Sequence, residues 1–247
     1  MEIDEIKKLV SNVEGWLDDK EGELLYSLAK RCAGKGVIVE IGSFKGKSTI
    51  WLGKGSKSGK KVRIYAIDPH TGGSWYKRMR RHVWSLDDFE KNIRNAEVDD
   101  IIIPIVKTSE EAAQRFDHPI ELIFIDGLHE YEHVKKDFTL WYPKVIDGGI
   151  MVFHDTVGWP GPKKLVEEFL YKSKNFRNVR FVKSVTFAEK VKRNSVGDRL
   201  SNLKMLLLKR LYEHLTTHSY VLLRKSCLLG PVRVVGEKLV GLVCNDR

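Results

Sequence analysis

Short apolar runs alternate with amphipathic stretches along most of the chain. Residues 37–42, 62–68, 101–106, 121–126 and 149–154 are apolar runs of strand length, each bounded by glycine, charge or a turn former. Between or after them, residues 47–54, 85–96, 109–115, 130–142 and 162–173 carry apolar positions at helical spacing. Two more helical patterns come first, at 2–13 and 20–33. In the second, Leu24, Leu25, Leu28 and Ala29 share a side and Gly34 and Gly36 follow as stops. Residues 179–185 and 186–192 read as two further strands. This alternation predicts right-handed βαβ units: an α/β, Rossmann-like, doubly wound and mostly parallel sheet of seven strands, with ligands at the C-terminal strand edge.

The first strand runs into Glu40-Ile41-Gly42-Ser43-Phe44-Lys45-Gly46-Lys47-Ser48-Thr49. A glycine at a strand-to-helix turn lets backbone approach a ligand, and the helix start offers free N–H groups. A phosphate-binding loop needs four residues between its glycines; Gly42 and Gly46 enclose three, so the cradle is too short. A dinucleotide fingerprint needs a second glycine where Phe44 stands. A third reading fits. Glu40 ends the strand as a carboxylate for a cationic amino group, and Asp68, 26 residues past Gly42, ends the second strand where an acid meets ribose hydroxyls. Two carboxylates without a phosphate site suit a nucleoside that carries an amino acid.

Two later segments hold the chemistry. Residues 121–131 read Glu-Leu-Ile-Phe-Ile-Asp-Gly-Leu-His-Glu-Tyr, and 148–156 read Gly-Gly-Ile-Met-Val-Phe-His-Asp-Thr. Neighbouring parallel strand ends share one rim, so Asp126, His129, His154 and Asp155 are expected to converge beside the glycine loop. Two carboxylates with imidazole form a donor set for Mg²⁺ or another divalent metal, with Asp126, His154 and Asp155 as ligands.

The segment 40–48 resembles the E-x-G-x-x-x-G-x-S form of class I S-adenosylmethionine (SAM)-dependent methyltransferases, in particular catechol-type and macrocin-type O-methyltransferases. The resemblance runs from about Gly15 to Lys190. It implies that Glu40, Gly42, Ser43, Gly46, Ser48, Asp68 and Asp126 bind the methyl donor. It further implies Ser109 near the adenine, an antiparallel final strand, and Asp126 as first metal ligand. His129 falls where macrocin-type enzymes place a histidine base, and its unperturbed pKa suits that role. His154 departs from the family pattern, where an acid is expected. Sugar hydroxyls, the acceptors of macrocin-type enzymes, match the interleaved Trp75, Tyr76, Arg78, Arg80, Arg81, His82 and Trp84 of the insertion at 70–84.

Composition adjusts this picture. The chain has 247 residues and a net charge of +10. From Val191 onward there are 11 Lys/Arg against 4 Asp/Glu, so most of the surplus lies in the tail. The expected organisation is a methyltransferase domain over 1–193, with N-terminal helices 1–33 and core 34–193, and a basic helical extension over 194–247. Leu203, Leu206, Leu207, Leu211 and Leu215 among Lys204, Lys209 and Arg210 make the extension a basic amphipathic helix, a surface for the domain, a second subunit or a membrane face. An RNA methyltransferase and a non-catalytic SAM-binding or assembly protein are the competing functions; no base-flipping or RNA-binding motif favours nucleic acid. Cys32, Cys227 and Cys244 form no disulfide or metal pattern, the acidic N-terminus is no signal peptide, and no run reaches membrane-span length. The expected setting is cytoplasmic.

Overall fold

The structure is a computed structural model and describes residues 2–73 and 83–223, with side chains through 216. The tail beyond 223 and the insertion residues Trp75, Tyr76, Arg78, Arg80, Arg81 and His82 lie outside the described residues.

Seven strands form one sheet: β1 (Val37–Ile41), β2 (Ile64–Ile67), β3 (Ile102–Ile105), β4 (Ile120–Ile125), β5 (Val145–Phe153), β6 (Phe176–Val182) and β7 (Val185–Lys190). Their order is β3-β2-β1-β4-β5-β7-β6. The first five pair in parallel, while β7 runs antiparallel to both β5 and β6. The chain crosses from one half of the sheet to the other between β1 and β4, the switch point at which doubly wound folds bind ligands.

The parallel strands feed two cores, because successive side chains point to opposite faces. Ile38, Leu122, Phe124 and Val152 face one layer, made with α1 (Ile3–Val10), α2 (Asp19–Arg31), α3 (Lys47–Lys57) and α4 (Leu86–Asn95). Val39, Ile41, Ile123, Ile125, Met151 and Phe153 face the other. There α5 (Ser109–Arg115), α6 (Tyr131–Trp141), α7 (Pro160–Val166) and α8 (Val196–Leu223) pack. Burial on both sides explains why the parallel strands read as continuous apolar runs.

Three details differ from the sequence reading. Strand β5 begins four residues earlier than expected, with the Asp147-Gly148-Gly149 bend inside it. Strands β6 and β7 meet at a two-residue turn, Lys183-Ser184, in which Lys183 takes φ 53° without the glycine or asparagine that signals such a turn. Helix α8 is not polar on the side that carries Lys209. That lysine is buried with Met205 and Leu206, and its ammonium donates to the Thr156 carbonyl. Burial pulls its pKa down to about 8.

Helix α2 lies so close to α3 that a Cβ on Gly22 would stand 2.2 Å from the buried Trp51 indole nitrogen. Gly22→Ala should therefore cost about 1–3 kcal/mol through overpacking, read as a lower urea midpoint at unchanged slope. An unchanged midpoint would show that the helix pair can separate freely.

Candidate active site

The loop after β1 is shaped by three positive-φ residues, Gly42 (87°), Phe44 (43°) and Gly46 (87°). Gly42 is required by proximity as well as by φ. A Cβ there would stand 2.1 Å from the Asp126 carbonyl oxygen. Gly46 starts α3 with no side-chain cap, leaving the first N–H groups of the helix facing the loop. The Ser43 hydroxyl is buried beside them and, among the described residues, has no hydrogen-bond partner.

Glu40 is fully buried behind this loop. Its two oxygens accept from Ser48 Oγ, at 2.5 Å, and from Thr49 Oγ1. Glu40 and Ser48 thus tie β1 to the first turn of α3. Burial, with the nearby charges of Asp126 and Asp68, pushes the Glu40 carboxyl up to about 7 against the pull of the two hydroxyls. Asp68 plays a similar part on β2: it accepts from the Phe44 N–H at 2.8 Å and from the His70 N–H at 2.6 Å. Ser109 opens α5 behind its cap Thr108, and its hydroxyl accepts from the Trp141 indole N–H at 2.8 Å.

The N-terminal segment lies along the outside of the loop. Glu14 pairs with Lys45, Trp16 meets Phe44 with ring centroids 5.8 Å apart, and Lys47 donates to the Gly15 carbonyl. Trp16 is 69% exposed, so it is not the core residue its size suggests. Lys47 is half-buried under Gly15 and does not point freely to solvent.

At the ends of β4 and β5 the four expected residues converge. His154 Nδ1 lies 3.2 Å from Asp126 Oδ1 and 3.4 Å from Asp155 Oδ2; His129 Nε2 lies 3.1 Å from Asp155 Oδ2 and 3.8 Å from Asp126 Oδ1. Asp155 reaches this position with φ 54°, a left-handed conformation that aspartate tolerates. Asp126, His154 and Asp155 each offer one donor atom, all within 4.8 Å of one another. His154 Nδ1 and His129 Nε2 are buried, and neither completes an aligned hydrogen bond among the described residues. With His154 Nδ1 deprotonated, two carboxylates and an imidazole nitrogen in this arrangement suit a divalent cation, whose binding would displace that proton.

Charge dominates the rim. Burial opposes charge on every member, yet the carboxylates and imidazoles overrule it. Asp126 and Asp155 lie below the usual carboxylate range, His154 well above the usual imidazole range, and His129 is raised to about 9.

Two residues enter the site that the motifs did not indicate. Glu21, buried in α2, faces His154 Nε2 at 3.2 Å, and its other oxygen accepts from the Ser184 N–H and hydroxyl. Its capping box with Asp18 is visible in the sequence, but its reach across to β5 is a tertiary fact. A histidine with one ring nitrogen held by a carboxylate has its orientation set, as second-layer partners do around metal sites. Trp159 lies against His129 with centroids 4.5 Å apart and ring planes tilted by 39°, and it is 48% exposed. His129 itself is held from behind by α7, where a Cβ on Gly161 would stand 2.0 Å from the His129 carbonyl.

A glycine-floored loop at the switch point, two acidic strand ends and this rim define a class I methyltransferase fold. Residues 39–156 match the model of a family described as a methyltransferase domain. The O-methyltransferase NovP shares the fold with a TM-score of 0.63 at 18% identity, over 74% of this chain and 84% of that one. TomG of Streptomyces achromogenes, an O-methyltransferase involved in tomaymycin synthesis and solved with SAM, gives 0.56 at 16%, over 76% and 89%. A Bacillus cereus O-methyltransferase solved with S-adenosylhomocysteine gives 0.54 at 17%, over 76% and 90%. An uncharacterized protein of Acanthamoeba polyphaga mimivirus is 30% identical over 121 residues, 47% of this chain. The chain spans half the length of that relative and 13% of an uncharacterized Sinorhizobium fredii protein that is 28% identical over 129 residues.

The buried Glu40 carboxyl has a testable consequence for stability. A folded-state pKa raised to about 7 means that the folded protein holds a proton which the unfolded chain has lost. The contribution is full below about pH 4.3 and is lost as pH rises through 7, a loss on the order of 3 kcal/mol. Glu40→Gln should flatten the fall in melting temperature between pH 5 and 8 relative to wild type. Parallel pH curves for the two proteins would show that Glu40 is ionised throughout.

Proposed function

We propose that the protein is a SAM-dependent O-methyltransferase. It transfers the methyl group to a hydroxyl of a small acceptor, most fittingly a sugar or glycan, with a divalent cation held by Asp126, His154 and Asp155. The observation that carries this reading is the convergence of Asp126, His129, His154 and Asp155 beside the glycine loop. A sulfonium donor supplies an electrophilic methyl group, and a bound cation supplies positive charge that lowers the pKa of an acceptor hydroxyl.

The chain's own groups do the rest. Gly42 and Gly46 keep the loop floor open, and the unpartnered Ser43 hydroxyl and the uncapped start of α3 offer polar contacts to the donor. Glu40 and Asp68 hold that loop in shape. His129 Nε2 faces the rim and takes the acceptor proton, with Asp126 and Asp155 orienting the ring. Trp159, tilted against His129 and open to solvent, offers a flat face to an acceptor ring. Glu21 keeps the His154 ring turned so that Nδ1 meets the carboxylates.

The pH profile tests the base and the cation together. His129 raised to about 9 is protonated at neutral pH, so a base at this position gains activity as pH rises toward 9 in chelated enzyme. Saturating Mg²⁺ or Mn²⁺ competes for the same carboxylates and should move the midpoint to lower pH. His129→Ala should lose about 10²- to 10⁴-fold in kcat while still binding S-adenosylhomocysteine, measured by calorimetry. A profile unmoved by exhaustive chelation would remove the cation, and full activity in His129→Ala would remove the base.

A further inference from the structure

Helix α8 meets the domain by one side only. Asn202, Met205, Leu206 and Lys209 are buried there, and Arg210 is tied to Glu167 at 2.6 Å. The opposite side carries Val196, Leu200, Leu203, Leu207 and Leu211, at steps of four, three, four and four residues. At 100° per residue these five share one stripe. Each is between 43% and 66% exposed, and together they make up more than half of the large hydrophobic residues exposed among the described residues. The helix is already docked by its other side, so this stripe is not awaiting its own domain.

The charges around the stripe are of one sign. Arg199 and Lys204 bracket it on the helix, and Arg193 stands just before α8. Among the described residues none of the three has an ion-pair partner. The two acids of the described α8 are already engaged: Asp198 accepts from Ser195, and Glu213 pairs with Lys163 at 2.7 Å. If α8 paired with a second copy, the seam would bring basic flanks together with no free carboxylate to face them. An apolar stripe rimmed by unpaired basic groups is instead complementary to an anionic lipid surface, where the leucines enter the acyl boundary and the basic groups meet headgroups. Among the described residues no helix is long and apolar enough to cross a membrane.

We propose that α8 is an in-plane membrane-binding helix, which seats the domain on an anionic leaflet through Val196, Leu200, Leu203, Leu207 and Leu211. The test is co-sedimentation of the full chain with vesicles of phosphatidylcholine alone and with about 30% phosphatidylserine added. Binding is expected to the anionic vesicles and to weaken with salt. The double variants Leu203→Glu/Leu207→Glu and Arg199→Glu/Lys204→Glu alter exposed or half-exposed positions, and their melting temperatures report whether the fold is kept. Each should lower vesicle binding by at least about 10-fold. Absence of wild-type binding to anionic vesicles would overturn the proposal. So would binding that survives Leu203→Glu/Leu207→Glu but disappears when the chain is ended after Leu223, since residues 224–247 would then be the attachment. A native-mass dimer that the leucine variant separates would assign the stripe to a second copy and overturn it equally.

Discussion

The site depends on one close approach, the contact between the backbone after β1 and the end of β4. Asp126 donates its N–H to the Ile41 carbonyl at 2.8 Å, and its own carbonyl lies where a Cβ of residue 42 would be. Parallel pairing of β1 with β4 brings these strand ends level. The glycine then lets them close without a side chain between them. One contact therefore sets the floor of the loop and the position of the Asp126 carboxylate. The loop forms one end of the candidate site, Asp126 opens the rim, and the distance between them is fixed by main chain.

The rim works against its own burial. Placing two carboxylates and two imidazoles where water is limited costs desolvation, and the arrangement is stable because each charge has an opposite neighbour. The shifts follow: acids down, imidazoles up. Glu21 extends the chain of alternating charge from His154 into α2, and the capping box of that helix shares the same carboxylate. Glu40 is the counter-case. It has hydroxyl partners and, among the described residues, no cation beside it, so burial pushes its carboxyl up to about 7. In the same small region, partner chemistry decides which buried acid carries charge.

Periodicity made most of the fold legible, since strands buried on both faces leave unbroken apolar runs and their helices leave amphipathic ones. The four rim residues were legible because parallel strand ends share an edge. What escaped was tertiary. Glu21 looks like a capping acid until α2 is laid against β5, and Trp159 looks like a loop aromatic until α7 brings it over His129. Lys209 looks like polar-face decoration, yet it is buried, while Leu203 and Leu207 beside it are not. A stretch with apolar residues on two sides does not show from spacing which side meets the domain. Glu40 and Ser48 read as ligand contacts from the motif, and in the fold they also face each other and brace the loop, a contact that spacing alone does not show.

The most direct measurement of the central claim is a crystal structure with S-adenosylhomocysteine and Mn²⁺. The account predicts the nucleoside against the Gly42–Gly46 loop, its sulfur toward His129, and anomalous density among Asp126, His154 and Asp155. A ligand bound away from that loop, or a rim that stays empty of metal at saturating Mn²⁺ with the donor product in place, would contradict it.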